Sequence, residues 1–193
     1  MKRVIVISLG GSLIVPEKVN EKFLDEFRKI ILKNSKKYKF VIVCGGGSIA
    51  RVYINGLENQ KINHKEYLQS LLGISATRLN ARFMTYFFGR DANRGIPHEI
   101  GDIEDYLRKN DVVFCGALRY AKKQTTDSTT AKLAHYFHSD FINLTNVSGL
   151  YDRNPKKFKN ARFIPEISHN NFLKMFKNFK FHPGLNFVLD NTA

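Results

Sequence analysis

Four short apolar runs rich in β-branched residues divide the chain. They are VIVIS (4–8), FVIVC (40–44), DVVFC (111–115) and DFINLT (140–145). Short apolar runs bounded by polar residues and glycines are typical of strands that are buried on both faces. The pattern therefore predicts four buried strands.

Helical periodicity fills the stretches between these runs. Residues 20–33 begin at Asn20, a candidate N-cap, and repeat their apolar positions on one helical face. That face holds Phe23, Leu24, Phe27, Ile30 and Ile31. A longer apolar periodicity covers residues 65–88. Strands that alternate with helices predict an α/β protein, with a mostly parallel central sheet and helices on its faces.

Length and composition favour one globular domain over residues 1–193. Hydrophobic residues make up 43% of the chain and charged residues 25%, which is ordinary for such a domain. No apolar stretch approaches the roughly 20 residues that a membrane span needs. The apolar part of the N-terminal MKRVIVISLGG is also too short for a signal peptide. We therefore predict a cytoplasmic protein.

The net charge of +14 raises the question of a nucleic-acid partner, because basic surfaces attract polyphosphates. The lysines are scattered along the whole chain, however, which favours a solvated basic surface over a nucleic-acid interface. Cys44 and Cys115 each end an apolar run and are expected to be buried thiols. The histidines show no metal-ligand spacing beyond the pair His135 and His138, so no metal-binding residues are predicted.

Two glycine-rich loops follow the first two predicted strands. Gly10, Gly11 and Ser12 follow the first strand, and residues 45–47 are three glycines, with Arg51 about one helical turn further on. Ligands of open parallel sheets bind beyond the carboxyl ends of the strands, where glycine lets the backbone approach them. Helix N-termini and arginine both favour phosphate. The loops therefore predict two phosphate sites. The alternative is that glycine is present in these turns only because no larger side chain fits.

A third candidate segment is QTTDSTTAKLAHYF, residues 124–137. Thr125, Thr126 and Asp127 precede a helix. Its apolar side holds Ala131, Leu133, Ala134 and Phe137. The two threonines either cap this helix or bind phosphate oxygens. Asp127 is either a capping acid or the group that orients a transferring phosphate and its metal.

Taken in order, these segments resemble the archaeal type of UMP kinase, in the amino acid kinase superfamily. The resemblance rests on SLGGSLI, VCGGGSIARVYI, LLGISATRLNA, TTD, TNVSGLYDRNPKK and HPGLNFVLDNTA, and it runs nearly from end to end. It implies a three-layer α/β/α sandwich, ATP as donor, Mg2+, and UMP as the acceptor that becomes UDP. It also implies a homo-oligomer, a hexamer in the family. The acceptor would bind roughly residues 1–120 and ATP roughly residues 121–193.

The resemblance also implies roles for individual residues. Catalytic roles fall to Asp127, Gly10 and Ser12. ATP would contact Gly10, Gly11, Thr145, Asn146, Gly149 and Tyr151. UMP would contact Gly45, Gly46, Gly47, Arg51, Ser70, Thr125 and Thr126. Arg78 and Asn80 lie on the long helix, where packing or a subunit interface is at least as well supported as ligand contact.

Several positions depart from the family pattern. Ser70 stands where the family has an acid beside the uridine ribose, Ser148 and Asn154 replace two aspartates on the ATP side, and Ser8 replaces a lysine that many relatives carry. The loop GALRYAKKQ is longer than usual, and the chain ends at Ala193, before the family's last helix and strand. A C-terminally truncated form is therefore expected. Two alternatives stay open: a non-catalytic nucleotide-binding protein of this fold, and a kinase for another small acceptor.

Overall fold

Four parallel strands form the central sheet. The computed structural model describes residues 2–120, 125–153, 155 and 158–176. The strands are β1 (Arg3–Leu9), β2 (Tyr38–Cys44), β3 (Val112–Cys115) and β4 (Phe141–Leu144). They lie in the order β3-β2-β1-β4, and each pair is parallel. All four predicted strands are confirmed.

The helices and a small hairpin complete the described fold. The helices are α1 (Gly11–Ile14), α2 (Glu21–Asn34), α3 (Gly47–Gly56), α4 (Lys65–Phe88), α5 (Ile100–Lys109), α6 (Thr126–Tyr136) and α7 (His169–Phe176). The hairpin pairs β5 (Leu150–Tyr151) with β6 (Phe163–Ile164), antiparallel. The helices predicted at 20–33 and 65–88 are confirmed as α2 and α4.

Residues on successive positions of the strands enter two different cores. On β1, Ile5, Ile7 and Leu9 pack with α2 and α4, whereas Val6 packs with α5 and α6. The same alternation holds along β2 and β3, as expected where successive side chains point to opposite faces. The sheet is therefore covered on both sides, which confirms the predicted three-layer α/β/α sandwich.

One local prediction for α2 is wrong, and one is confirmed in position only. Ile30 is 60% exposed, because the buried stripe of α2 is narrower than its apolar set and runs through Leu24, Phe27 and Ile31. Asn20 does occupy the N-cap position, but its side chain makes no capping hydrogen bond. The register of α2 is therefore set mainly by burial.

Both cysteines are fully buried, as predicted. Burial raises the pKa of the Cys115 thiol to about 12 and also raises the pKa of Cys44 well above its ordinary value. Both therefore stay protonated and act as small apolar residues. Within the described ranges, no helix is both long and apolar enough to cross a membrane.

Candidate functional site

The two glycine loops lie in direct backbone contact at the carboxyl ends of β1 and β2. A Cβ placed on Gly11 would lie 2.7 Å from the carbonyl carbon of Gly46, and one placed on Gly47 would lie 2.6 Å from the carbonyl carbon of Gly11. Gly47 also has a φ of 64°, which favours glycine. Close packing therefore requires glycine at both positions, and the same packing sets the two strand-to-helix turns side by side.

The end of β4 lies on the other side of the first loop. The Gly10 amide donates to the Leu144 carbonyl over 3.0 Å, and the Gly45 amide donates to the Leu9 carbonyl over 2.9 Å. A Cβ on Gly10 would lie 4.0 Å from the Cα of Thr145. The loop that begins at Gly10 thus lies between Thr145 and the three glycines that follow β2.

Asn80 supports the second glycine loop from the long helix α4. It is 2% exposed, and its Nδ2 donates to the Gly45 carbonyl over 2.7 Å. From the sequence alone, Asn80 could serve packing, a subunit interface or ligand contact. The hydrogen bond assigns it to the support of the Gly45–Gly47 turn, a role that sequence reasoning missed. A polar amide on the buried face of a helix was the available signal.

Ser48 ties the start of α3 to the segment that follows α1. Its Oγ lies 2.9 Å from the Val15 carbonyl oxygen and 2.8 Å from that of Pro16, and donates to them. The Ser48 hydroxyl therefore already donates its hydrogen bond within the protein. The adjacent backbone and Arg51 remain as the groups of this turn that a phosphate would meet.

Arg51 and Arg78 are held very differently. Arg51 lies half-buried on α3, and no hydrogen bond or ion pair joins its side chain to any residue that the structure describes. Arg78, on α4, donates through Nε to the Ala117 carbonyl over 3.0 Å and through its terminal nitrogen to the Leu118 carbonyl. Burial lowers the pKa of Arg78. Arg78 is therefore a structural cation, and Arg51 is the arginine available beside the glycines.

The loop after β3 runs along α4. Its Ala117 amide donates to Thr77 Oγ1 over 2.9 Å, and the ring of Tyr120 meets the ring of Tyr67 edge to face with centroids 4.9 Å apart. Ser70 lies on α4 between these two attachments, is exposed, and donates to the Glu66 carbonyl over 2.8 Å. Ser70 therefore lies on α4 between two residues that contact this loop. Lys122 and Lys123 of the loop lie outside the described residues.

The start of α6 separates the roles of Thr125 and Asp127. Thr125 is the N-cap and accepts a hydrogen bond from the Ser128 amide over 3.2 Å, in a reciprocal capping box. The capping interpretation of Thr125 is thus confirmed, and Thr126 is the first residue of the helix. Asp127 is not the cap: its Oδ1 accepts a hydrogen bond from Ser8 Oγ over 2.9 Å. This bond places the Asp127 carboxylate at the end of β1, two residues before Gly10.

Four of the residues assigned to ATP follow β4. Thr145 is half-buried and Asn146 is exposed. Gly149 has a φ of 141°, and a Cβ there would lie 2.8 Å from the ring of Phe163. Tyr151 packs against that same ring with centroids 5.5 Å apart. Ser148 is exposed, and Asn154 lies outside the described residues.

A protein family and several named proteins match nearly the whole chain. The Amino acid kinase family matches residues 3–186. The uridylate kinase of Thermoplasma volcanium is 34% identical over 194 residues, covering 100% of this chain and 83% of that protein. The uridylate kinase of Methanothermobacter thermautotrophicus is 33% identical over 190 residues, covering 98% of this chain and 83% of that protein.

Solved structures agree with the sequence comparison. The uridylate kinase of Archaeoglobus fulgidus superposes with a TM-score of 0.76 at 31% identity, covering 89% of this chain and 77% of that one. The UMP kinase of Ureaplasma parvum, at 24% identity and a TM-score of 0.74, shares the fold over 100% of this chain and 83% of its own. The resemblance predicted from the motifs is confirmed, and the chain belongs to the amino acid kinase family.

Proposed function

We propose that the chain is a UMP kinase, which transfers the γ-phosphoryl group of ATP to UMP and yields UDP and ADP. The observation that carries the proposal is the backbone contact between the turn at Gly11 and the turn at Gly47. Phosphates held on two turns in contact lie next to one another, as a direct transfer needs. The uridylate kinases similar to this chain support UMP as the acceptor.

The acceptor phosphate would bind at the N-terminus of α3. Gly46 and Gly47 present backbone there beside Gly45, whose own amide and carbonyl are bonded to Leu9 and Asn80. Arg51 adds a guanidinium with no described partner. Amides at a helix N-terminus and a guanidinium both favour a phosphate dianion. Gly10, Gly11 and Ser12 would face the donor phosphates from the first turn. Phosphoryl transfer depends mostly on such positioning and charge neutralisation.

ATP brings the phosphoryl group, and Mg2+ neutralises the charge of its phosphates. Mg2+ keeps waters and substrate phosphates among its ligands, so a kinase supplies few ligands of its own. Asp127 fits this demand, because the bond from Ser8 holds its carboxylate at the end of β1. Thr145, Asn146, Gly149 and Tyr151 would border the ATP, with the aromatic pair of Tyr151 and Phe163 beside them.

The rest of the acceptor would lie between α4, the loop after β3 and the start of α6. Ser70 would contact the ribose, and Thr125 and Thr126 would approach the acceptor phosphate. The proposal thus gives residues 1–120 mainly to UMP and residues 121–193 mainly to ATP. It makes no use of a nucleic-acid partner.

A panel of acceptors in one coupled assay tests the proposal. Purified protein with ATP and Mg2+ is offered UMP, CMP, AMP, GMP, isopentenyl phosphate and small carboxylates. We expect UMP to be the preferred acceptor by about tenfold or more in kcat/KM. Preference for another acceptor would replace UMP by that compound. Thermal stabilisation by nucleotides without any transfer would support the non-catalytic alternative.

Replacement of Arg51 by alanine is expected to raise the KM for UMP. Loss of a bidentate guanidinium–phosphate contact should raise that KM by about 30-fold, with a much smaller effect on the KM for ATP. Steady-state kinetics with each substrate varied in turn measures both values. Arg90→Ala is the matched control, since Arg90 is an exposed arginine in the turn after α4. Equal effects of the two substitutions would contradict the assignment of Arg51.

We further propose that the chain works as a homo-oligomer in the cytoplasm. Large apolar side chains are exposed on neighbouring helices: Val52 and Tyr53 on α3, and Leu79 and Tyr86 on α4. Exposed apolar residues of this kind favour association. The hexamer is implied by the family resemblance.

A further inference from the structure

A buried hydroxyl at the end of β1 contacts the carboxylate that the proposed function places at the transfer centre. Ser8 is 3% exposed, and its Oγ donates to Asp127 Oδ1 over 2.9 Å. The partners are 119 residues apart in the chain. The contact therefore joins the sheet to the first turn of α6, immediately before the loop that starts at Gly10.

The strand register sets Ser8 in a row of four side chains. Ser8 pairs with Asn143 on β4 and with Val43 on β2, and Val43 pairs with Cys115 on β3. Residues paired directly across neighbouring strands point to the same face of a sheet. Val43 and Cys115 belong to the core that contains Leu133 of α6. The row is thus apolar at one end and polar at the other, where Ser8 and Asn143 lie.

Ser8, at the polar end of this row, hydrogen-bonds to Asp127. Two hydroxyls that follow Asp127 on α6 donate to carbonyls of the same helix: Thr129 to Thr125 over 2.9 Å, and Thr130 to Thr126 over 2.8 Å. Those bonds fix the backbone of the first turn. The bond from Ser8 reaches the carboxylate itself, and hydrogen bonds to a charged acceptor are stronger than neutral ones.

We propose that Ser8 is a positioning residue, whose hydroxyl holds the Asp127 carboxylate in one rotamer beside the Gly10 turn. This inference rests on the proposed function, since it takes Asp127 to be the group that organises the transfer. A carboxylate that is fixed before the substrates bind does not have to reorganise during the reaction. Ser8 therefore acts on turnover through Asp127 and not on the binding of UMP.

The first test compares kcat with KM in Ser8 variants. Ser8→Ala is expected to lower kcat by about tenfold, while the KM values for UMP and ATP change by less than about twofold. Ser8→Thr keeps the hydroxyl and is expected to restore most of kcat. Thr85→Val is the matched control: it removes another buried hydroxyl, one that donates to the Arg82 carbonyl on α4. Its kcat should match that of the wild type, and melting temperatures verify that all variants fold.

A double-mutant cycle separates positioning from a general structural effect. Single-turnover rates with labelled ATP are measured for Ser8→Ala, for Asp127→Ala and for the double variant. We expect Ser8→Ala to have no further effect once Asp127 is replaced, because Ser8 acts only through that carboxylate. The same fold-loss in both backgrounds would overturn the proposal.

Crystal structures of the wild type and of Ser8→Ala give a readout that needs no turnover. The Asp127 side chain is expected to leave its position at the end of β1 in the variant. An unchanged Asp127 rotamer would overturn the positioning role even in an active enzyme. If the wild type phosphorylates no acceptor in the panel, the proposed function fails on its own, and the crystal structures still decide whether Ser8 orients Asp127.

Discussion

Replacement of Gly11 by alanine is expected to destabilise the fold and abolish measurable turnover together. The new Cβ would lie 2.7 Å from the carbonyl carbon of Gly46, within the backbone of the neighbouring turn. No side-chain rotation relieves a backbone overlap, so the two turns must separate. We expect a loss of about 3 kcal/mol in the free energy of unfolding, or about 10 °C in melting temperature for a chain of this size.

Gly101→Ala provides the matched control for that experiment. Gly101 lies in α5, and a Cβ there meets no atom within 4 Å. Because alanine favours helix more than glycine does, this variant should be as stable as the wild type or up to about 1 kcal/mol more stable. Calorimetry and the kinase assay measure both variants. A Gly11→Ala protein with wild-type stability and turnover would show that the contact between the turns is not needed.

Replacement of Asp127 by asparagine is expected to remove most of the turnover and leave the fold intact. Asparagine has nearly the same shape and can still accept the hydrogen bond from Ser8, so the variant loses mainly the negative charge. If that charge organises the transferring phosphate and its Mg2+, kcat should fall by about 100-fold or more. The melting temperature, and its rise on adding UMP, should stay close to those of the wild type.

Asp105→Asn is the control for loss of charge alone. Asp105 is exposed on α5, where it pairs with Arg108, and an exposed pair of this kind contributes little to stability. Its kcat should equal that of the wild type. If Asp127→Asn kept full turnover, the carboxylate would not be part of the reaction, and the assignment of the transfer centre would have to move to other residues.

The sequence predicted the parts of the fold that depend on local pattern. The four strands and α4 have long or strongly apolar patterns, and the two glycine turns directly follow β1 and β2. Helix α5 was missed because only Ile103 and Leu107 are buried on it. Its start is set by a capping box between Glu99 and Asp102. The hairpin of β5 and β6 was missed because its strands are two residues long.

The supports of the candidate site could not be predicted in the same way. Asn80 bonds to Gly45 from 35 residues away, and Ser8 bonds to Asp127 from 119 residues away. Such pairs exist only after the register of the sheet and the packing of α4 and α6 are set. The motifs therefore indicated which turns carry the chemistry, and the fold supplied the residues that hold those turns.

Helix α4 contacts both ends of the proposed acceptor site. Asn80 holds the phosphate turn, Thr77 and Arg78 hold the loop after β3, and Tyr67 meets the same loop further along. A shift of this helix would move both attachments together and leave their spacing unchanged. Substitutions that tilt α4 should therefore weaken all acceptors alike, whereas changes in the loop itself should alter the choice among them.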